Sequence, residues 1–287
     1  MVFLDYCEIG TSDFDTLIQK AKKGDKGLSI DAIPCYLDNL PNPENWIKIN
    51  AAISSKEGEV NAFYLEPSDI KKYDLPKWAR GCNRLFEPHQ TIVRLLQSRD
   101  LPLDLIVNKK VPMRRLVSIF SEMSVEGVYS LKVDTEGHDA VILADVFSSI
   151  PRTCYPHQLK FESNKLSDNK AIHELIIKLI KIGYDIVSCQ TGGSATDTHM
   201  RLNINRVKSR VSFTKPILGY YLGGYPLSYD PISPPHENNL SDAMRYCKKI
   251  GAGGVTFQDE RYEVRRGDYL YRQKGLAQTQ SWVLIGK

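Results

Sequence analysis

Short apolar segments alternate with helix-period segments through residue ~205. Val2–Ile9 is apolar enough for a buried strand. Phe14, Leu17, Ile18 and Ala21 then recur at helical spacing and predict a helix. Gly27–Ile33 and Trp46–Ser54 read as two more strands, with Val60–Leu65 extending the same sheet. Residues 67–110 carry Pro67, Pro76, Pro88 and Pro102 and read as a long insertion with a helix near Thr91–Gln97. Val117–Met123 is helical. Gly127–Asp134 is a strongly apolar strand with a helix, Ala140–Phe147, after it. Gln158–Glu162 is a further strand. Ala171–Ile182 puts Ile172, Leu175, Ile176, Leu179 and Ile180 on one face, and Gly183 stops it. Asp185–Cys189 and His199–Ile204 read as a closing strand pair. Strands alternating with helices predict an α/β fold with a mainly parallel sheet.

The pattern changes near 215–235, where Gly219, Gly223, Gly224, Pro226, Pro231, Pro234 and Pro235 accompany Tyr220, Tyr221, Tyr225 and Tyr229. This stretch reads as a linker or extended arm. Ser241–Ile250 is a short helix. Val255–Gln258 and Arg261–Arg265 form a hairpin about Asp259–Glu260, and Trp282–Ile285 closes a small α+β module. The expected domains are residues 1–214 and 215–287.

Composition narrows the function classes. With 38 basic and 34 acidic residues, the net charge of +4 is too small and too dispersed for nucleic-acid binding. Lys109, Lys110, Arg114 and Arg115 cluster, as a solvated face or as part of an acceptor groove. No two of the six cysteines have C-x-x-C spacing, so neither a zinc site nor a disulfide framework is expected. The opening residues lack a charged region and a cleavage site of the signal-peptide kind, and no apolar run nears the length of a bilayer span. A cytoplasmic setting is expected.

Acidic residues stand at three strand ends, where open α/β sheets bind their ligands. Glu8 and Gly10 end the first strand: the glycine allows a close backbone turn, and the acid can hold a charged or hydroxyl-bearing group. Thr11 and Ser12 follow. The turn is not G-x-G-x-x-G, so a nucleoside ligand without phosphates fits better than a dinucleotide; ordinary turn chemistry is the alternative. Asp31, ahead of Ala32, ends the second strand and can accept both ribose hydroxyls, or cap a following helix. Asn50 and Ala51 end the third, where an adenine edge would lie. Asp134, Glu136 and His138 crowd the end of the Gly127–Asp134 strand, a costly arrangement unless something binds there; helix capping is the alternative. Glu162 and Asn164 end the next strand. Trp78, Arg80, Asn83 and His89 in the insertion suit a sugar, by ring stacking and hydroxyl binding, although Trp78 can equally anchor the loop.

Leu131-Lys-Val-Asp-Thr-Glu-Gly137 resembles the lysine–hydrophobic–aspartate–x–glutamate–glycine signature of FkbM-type S-adenosylmethionine-dependent methyltransferases. The Glu8-Ile-Gly10 turn, the acid of strand two, the Asn-Ala-Ala element and Phe161-Glu162 recur in that family's order. The resemblance spans roughly residues 1–205 and implies a Rossmann-like class I methyltransferase sheet, with the small α+β module outside it. It also implies O-methylation of a small molecule or sugar. Thr11, Ser12 and Asp13 stand where a second family glycine often occurs.

On that basis, Glu8 and Gly10 are expected at the methionine part of the donor, Asp31 at the ribose, and Asn50 and Ala51 beside the adenine, with Asp134 reaching the same ligand. The acceptor would be a sugar or glycan hydroxyl held by Trp78, Arg80, Asn83, His89 and Glu136. A hydroxyl is a poor nucleophile near neutral pH and needs a base; Asp134, Glu162 and His138 are the candidates in that order. Alternatively Asp134, Glu136 and Glu162 hold magnesium or manganese, since oxygen-only ligands favour a hard cation over zinc. Two other readings stay open: a nicotinamide oxidoreductase, and a non-enzymatic glycan-binding protein acting through residues 217–287. The C-terminal run resembles small modules appended to glycan-processing proteins, viral ones among them, which makes a virus-infected host cell one cytoplasmic setting.

Overall fold

The computed structural model describes residues 2–164, 166–189, 197–204, 210–214, 216–223, 239–267, 269–272 and 279–286. The fold is α/β. Strands β1 (Val2–Ile9), β2 (Gly27–Asp31), β3 (Trp46–Asn50), β4 (Ala52–Ile53), β5 (Gly58–Leu65), β6 (Arg84–Leu85), β7 (Ile106–Arg114), β8 (Val125–Val133), β9 (Gln158–Glu162), β10 (Tyr184–Cys189) and β11 (Asp197–Leu202) come in that order. Helices α1 (Pro34–Asp38), α2 (Pro67–Lys72), α3 (Gln90–Ser98), α4 (Leu116–Glu122), α5 (Asp139–Ser149) and α6 (Asn169–Lys181) are interleaved with them. A seven-stranded sheet has the order β10-β11-β9-β8-β1-β2-β3. Strand β1 is parallel to both β2 and β8, and β2 is parallel to β3. The chain leaves β1 toward β2 and β3, and later returns to its other side as β8. The carboxyl ends of β1, β2 and β8 therefore flank a topological switch point.

By its contacts the chain forms two units. The first is 1–149, 159–175 and 188–199; the second is 150–158, 176–187 and 200–287. The division is interleaved, whereas the sequence pattern placed one boundary near 214.

Three expected elements differ. The strand expected over Trp46–Ser54 is divided into β3, in the main sheet, and β4, in another. The helix predicted from Phe14 to Ala21 is a single 3-10 turn, Ile18–Lys20. Ser12 and Asp15 have positive φ, which interrupts a helix. The backbone N–H groups of Leu17 and Ile18 donate instead to the Glu8 carboxylate, at 2.6 and 3.1 Å. Strand β5 does not extend the main sheet. It lies in a second sheet of order β4-β7-β5-β6, to which the insertion adds β6 and most of β7. Ile33, Tyr36, Ala62, Tyr64, Val111 and Met113 form the core beneath it.

The second unit contains β12 (Arg210–Phe213), β13 (Ile217–Leu218), β14 (Tyr220–Leu222), helix α7 (Leu240–Ile250), β15 (Gly254–Gln258), β16 (Arg261–Arg265), β17 (Leu270–Arg272) and β18 (Gln280–Gly286). Strands β12, β18, β15 and β16 form one sheet, and β14 pairs with β17. The β15–β16 hairpin turns at Asp259 and Glu260, both at positive φ, as a two-residue turn of the hairpin type requires. Helix α7 starts on the Asn239 side chain, which accepts from Ser241 N, and ends at left-handed Gly251. Its Ala243 and Cys247 pack with Val255, Val264, Trp282 and Leu284. Of the tyrosines in the expected arm, Tyr225 and Tyr229 lie outside the described residues. No helix among the described residues is long and apolar enough to cross a membrane.

Candidate functional site

The first unit holds a cavity of about 700 Å³ at the switch point, within the ordinary range for small-molecule sites. One end is aliphatic, formed by Ile9, Ile30, Ile33, Ala52 and Ile53. The other is acidic, formed by Asp134, Glu136, Glu162 and Asp197. Trp78, Asn83 and His89 come from the insertion.

Gly10 turns the chain away from β1 with φ +74. Thr11 and Ser12 follow along the cavity wall. Asp31 is buried at the end of β2. Its Oδ2 accepts from Ser12 N at 2.9 Å and Thr11 Oγ1 at 3.4 Å, and its Oδ1 accepts from Ile33 N at 2.7 Å. Burial raises its pKa, and those three hydrogen bonds oppose the rise. The carboxylate thus fixes the ends of β1 and β2 while lining the cavity. It does not cap α1, whose N-cap is Ile33. Ala32 and Ala51 line the same wall. Asn50 is exposed and does not; its Nδ2 donates to the Asp31 carbonyl at 2.9 Å.

Glu8 is not in the cavity. It is 0% exposed, and it accepts from Leu17 N, Ile18 N and Ser29 Oγ, the last at 2.6 Å. Trp46 Nε1 donates to the same Ser29 Oγ at 2.7 Å. Glu8 therefore organises the β1–β2 connection. The expected meeting of Glu8, Asp31 and Asp134 in one cleft is corrected to Asp31 and Asp134.

Asp134 follows β8. Its Oδ2 is 3.3 Å from Lys132 Nζ, which also donates to the Asp15 carbonyl at 3.0 Å. Burial raises the Asp134 pKa, and the Lys132 charge opposes it. Glu136 sits at φ +52 and Gly137 at φ +102. A Cβ at Gly137 would meet the Leu166 carbonyl oxygen at 2.6 Å, so the turn needs glycine there. Asp139 ties this turn to β9: its Oδ2 accepts from Thr135 N and Oγ1, and its Oδ1 from Glu162 N. Burial and the Asp134 charge push Asp139 up to about 7.

Glu162 is 8% exposed. Its Oε1 accepts from Asn164 Nδ2, and its Oε2 has no hydrogen-bond partner. Burial, followed by the charges of Glu136, Asp139 and Asp134, raises its pKa far above the carboxylate range. Burial raises both carboxyls, and Lys132 beside Asp134 favours the charged form that a base needs. The ligating oxygens of Asp134, Glu136 and Glu162 lie within 4.8 Å of one another.

His89 is buried. Its Nδ1 accepts from Thr91 N at 3.1 Å, which caps α3 and leaves the proton on Nε2 in the neutral ring. Nε2 is 3.4 Å from Glu136 Oε2. Asn83 donates to the Arg80 carbonyl, and its buried Oδ1 lacks a hydrogen-bond partner. Trp78 lines the cavity and is 47% exposed, an open ring face and not a core anchor.

Two expected site residues lie elsewhere. The Arg80 guanidinium pairs with Asp13 at 3.2 Å and covers the Phe14 ring at 4.8 Å; only its carbonyl, which accepts from Ser12 Oγ, touches the cavity wall. His138 Nε2 is 3.0 Å from Ser54 Oγ, and its ring packs on Phe86. The ring does not line the cavity, which removes it as a base there. The basic cluster is paired: Lys110 with Glu59, Arg114 with Glu122, and Arg115 with Asp145. Neither these residues nor Lys109 line the cavity.

Sequence reasoning assigned no role to Lys132 or Asp197. Lys132 interrupts an apolar strand, and a buried ammonium needs an anionic partner; that was the signal. Asp197 pairs with Lys160 at 2.7 Å, and no pattern marked it. Searches of protein-family models, curated proteins and solved structures find nothing that matches this chain.

Proposed function

We propose that the chain is an S-adenosylmethionine-dependent O-methyltransferase of FkbM type, acting on a hydroxyl of a sugar or glycan. The observation that carries this reading is the sharing of one cavity by Asp31 and Asp134, with an aliphatic wall beside the first and a carboxylate cluster around the second. The adenine fits the aliphatic end, between Ile33, Ala51 and Ile53. The Asp31 carboxylate suits the ribose diol. The sulfonium carries a positive charge that the acidic end attracts.

In transfer, the acceptor oxygen attacks the methyl carbon. The new O–C bond forms as the S–C bond breaks, its electron pair stays on sulfur as a neutral thioether, and the hydroxyl proton passes to Asp134. A base in this position contributes about 10²–10⁴ in rate. Trp78 and Asn83 offer a ring face and an unused carbonyl to a sugar.

Two features count against a nicotinamide cofactor. The turn after β1 carries Gly10 without further glycines, and the Ser12 amide is already donated to Asp31, so a pyrophosphate loses a donor. Strand β11 also lies between β9 and β10, unlike the 3-2-1-4-5-6 order of the dinucleotide sheet.

Calorimetry with S-adenosylmethionine and S-adenosylhomocysteine tests the proposal. The wild type should bind one equivalent of each, and Asp31→Ala should bind at least tenfold more weakly. Asp31→Asn, which retains an acceptor for one of the Ser12 and Ile33 amides, keeps the comparison meaningful if the alanine variant misfolds. Equal binding by wild type and both variants would put the ribose elsewhere.

A further inference from the structure

We propose that Asp134, Glu136 and Glu162 form a binding site for one hard divalent cation, magnesium or manganese, at the acidic end of the cavity. Three carboxylates drawn from two strand ends bring their oxygens within 4.8 Å of one another. Like charges so close repel, and a cation held between them relieves that repulsion.

A second observation concerns a single atom. Glu162 is more than nine-tenths buried and lines the cavity, and its Oε2 has no hydrogen-bond partner. A buried carboxylate oxygen without a donor is costly. Its sister Oε1 is occupied by Asn164, whose own Oδ1 accepts from Leu166 N. Asn164 thus fixes the carboxyl and leaves Oε2 as the free acceptor at the cluster. Lys132 stands beside Asp134 at 3.3 Å, and the His89 Nε2–H faces Glu136 at 3.4 Å. Each stands on one oxygen of its carboxylate and leaves the second for a ligand.

All three donors are oxygens, with no thiolate and no imidazole nitrogen among them, a set that selects hard cations over zinc or copper. An octahedral ion held by one oxygen from each has three positions left for water or a hydroxyl. On the methyltransferase reading, one of them takes the acceptor hydroxyl and lowers its pKa, in place of a direct role for Asp134 as the base. That use rests on the proposed function; the cation site itself does not.

The test is Mn²⁺ titration of the chain without donor or acceptor, followed by the disappearance of the free-ion signal in electron paramagnetic resonance. The wild type should take up one Mn²⁺ per chain. Glu162→Gln should weaken uptake tenfold or more, and so should Glu136→Gln, whose more exposed side chain makes folding less of a concern. Circular dichroism checks each fold. Asp31→Ala should bind Mn²⁺ normally. Absence of saturable uptake by the wild type, or uptake unchanged in both glutamine variants, overturns the site. S-adenosylmethionine calorimetry in excess chelator separates the two readings: donor binding without Mn²⁺ uptake sinks the cation alone, and Mn²⁺ uptake without donor binding sinks the methyltransferase alone.

Discussion

A Cβ at Gly10 would stand 1.8 Å from the carbonyl oxygen of Asp134. The first turn of the sheet and the strand end that carries the central carboxylate are thus packed backbone against backbone. This contact holds the two walls of the cavity at a fixed separation. Gly10 also has φ +74, a conformation that costs an alanine about 1–2 kcal/mol before any clash is counted. Gly10→Ala should therefore lower the urea midpoint and weaken S-adenosylmethionine binding together. A variant of wild-type stability and affinity would show that the turn relaxes freely.

Glu8 predicts the opposite split. Its carboxylate accepts from two backbone amides and the Ser29 hydroxyl, and none of these faces the cavity. Glu8→Ala strands those donors, at about 1–3 kcal/mol for each one left unsatisfied. Stability measured by urea denaturation should fall by about 3 kcal/mol or more on that scale. Donor affinity, measured where the variant is still folded, should be unchanged. An affinity loss without a stability loss would return Glu8 to the binding site.

The contrast between Glu8 and Asp31 shows what the sequence could convey. Both are acids near the ends of parallel strands, and residue type and position gave them the same expected role. Asp31 closes β2, so its side chain reaches the cavity. Glu8 stands one residue short of the end of β1, where the Leu17 and Ile18 amides and the Ser29 hydroxyl take up its carboxylate, and Ile9 lines the cavity instead. The amides that satisfy Glu8 belong to Leu17 and Ile18, whose apolar spacing had suggested a helix. No periodicity reveals that a carboxylate nine residues upstream takes the N–H groups a helix would use. Asp134, Glu136 and Glu162 were legible because polar residues ending apolar strands need a reason to be there. The second sheet was not. In β7, Asn108, Lys109 and Lys110 are exposed and break the alternation that would mark a strand.

Trp78 and Asn83 predict a separation of acceptor from donor. Both line the cavity, and the aliphatic wall that fits the adenine is built from other residues. Aromatic stacking is worth about 0.5–1.5 kcal/mol. Trp78→Ala should raise the acceptor KM about two- to tenfold on that scale, with the KM for S-adenosylmethionine unmoved. Asn83→Ala should act in the same direction. Initial-rate kinetics with one substrate varied at a time make the check. A rise confined to the donor KM would place these side chains against the cofactor.

His157 offers a prediction about stability in the second unit. Burial, and then the nearby Arg201 charge, push its pKa down to about 4. In the unfolded chain an imidazole titrates near 6.5. Between those values the unfolded state takes a proton that the folded state refuses. The contribution of His157 to stability is therefore complete above pH 6.5, declines as the pH falls, and is fully lost once the pH drops through 4. Moving from pH 7.5 to 5 should cost about 2 kcal/mol from this group. His138 and His199, also lowered by burial, titrate in the same sense, whereas buried acids with raised pKa, such as Asp139, work against it. The comparison is accordingly the difference between the two pH values in wild type minus the same difference in His157→Gln. Those other groups cancel from it, and any loss of packing at neutral pH cancels as well. Urea titrations at pH 5 and 7.5 should show the wild type losing about 2 kcal/mol more than the variant. Equal losses would mean that the folded protein accepts the proton, and that His157 is not held neutral by its surroundings.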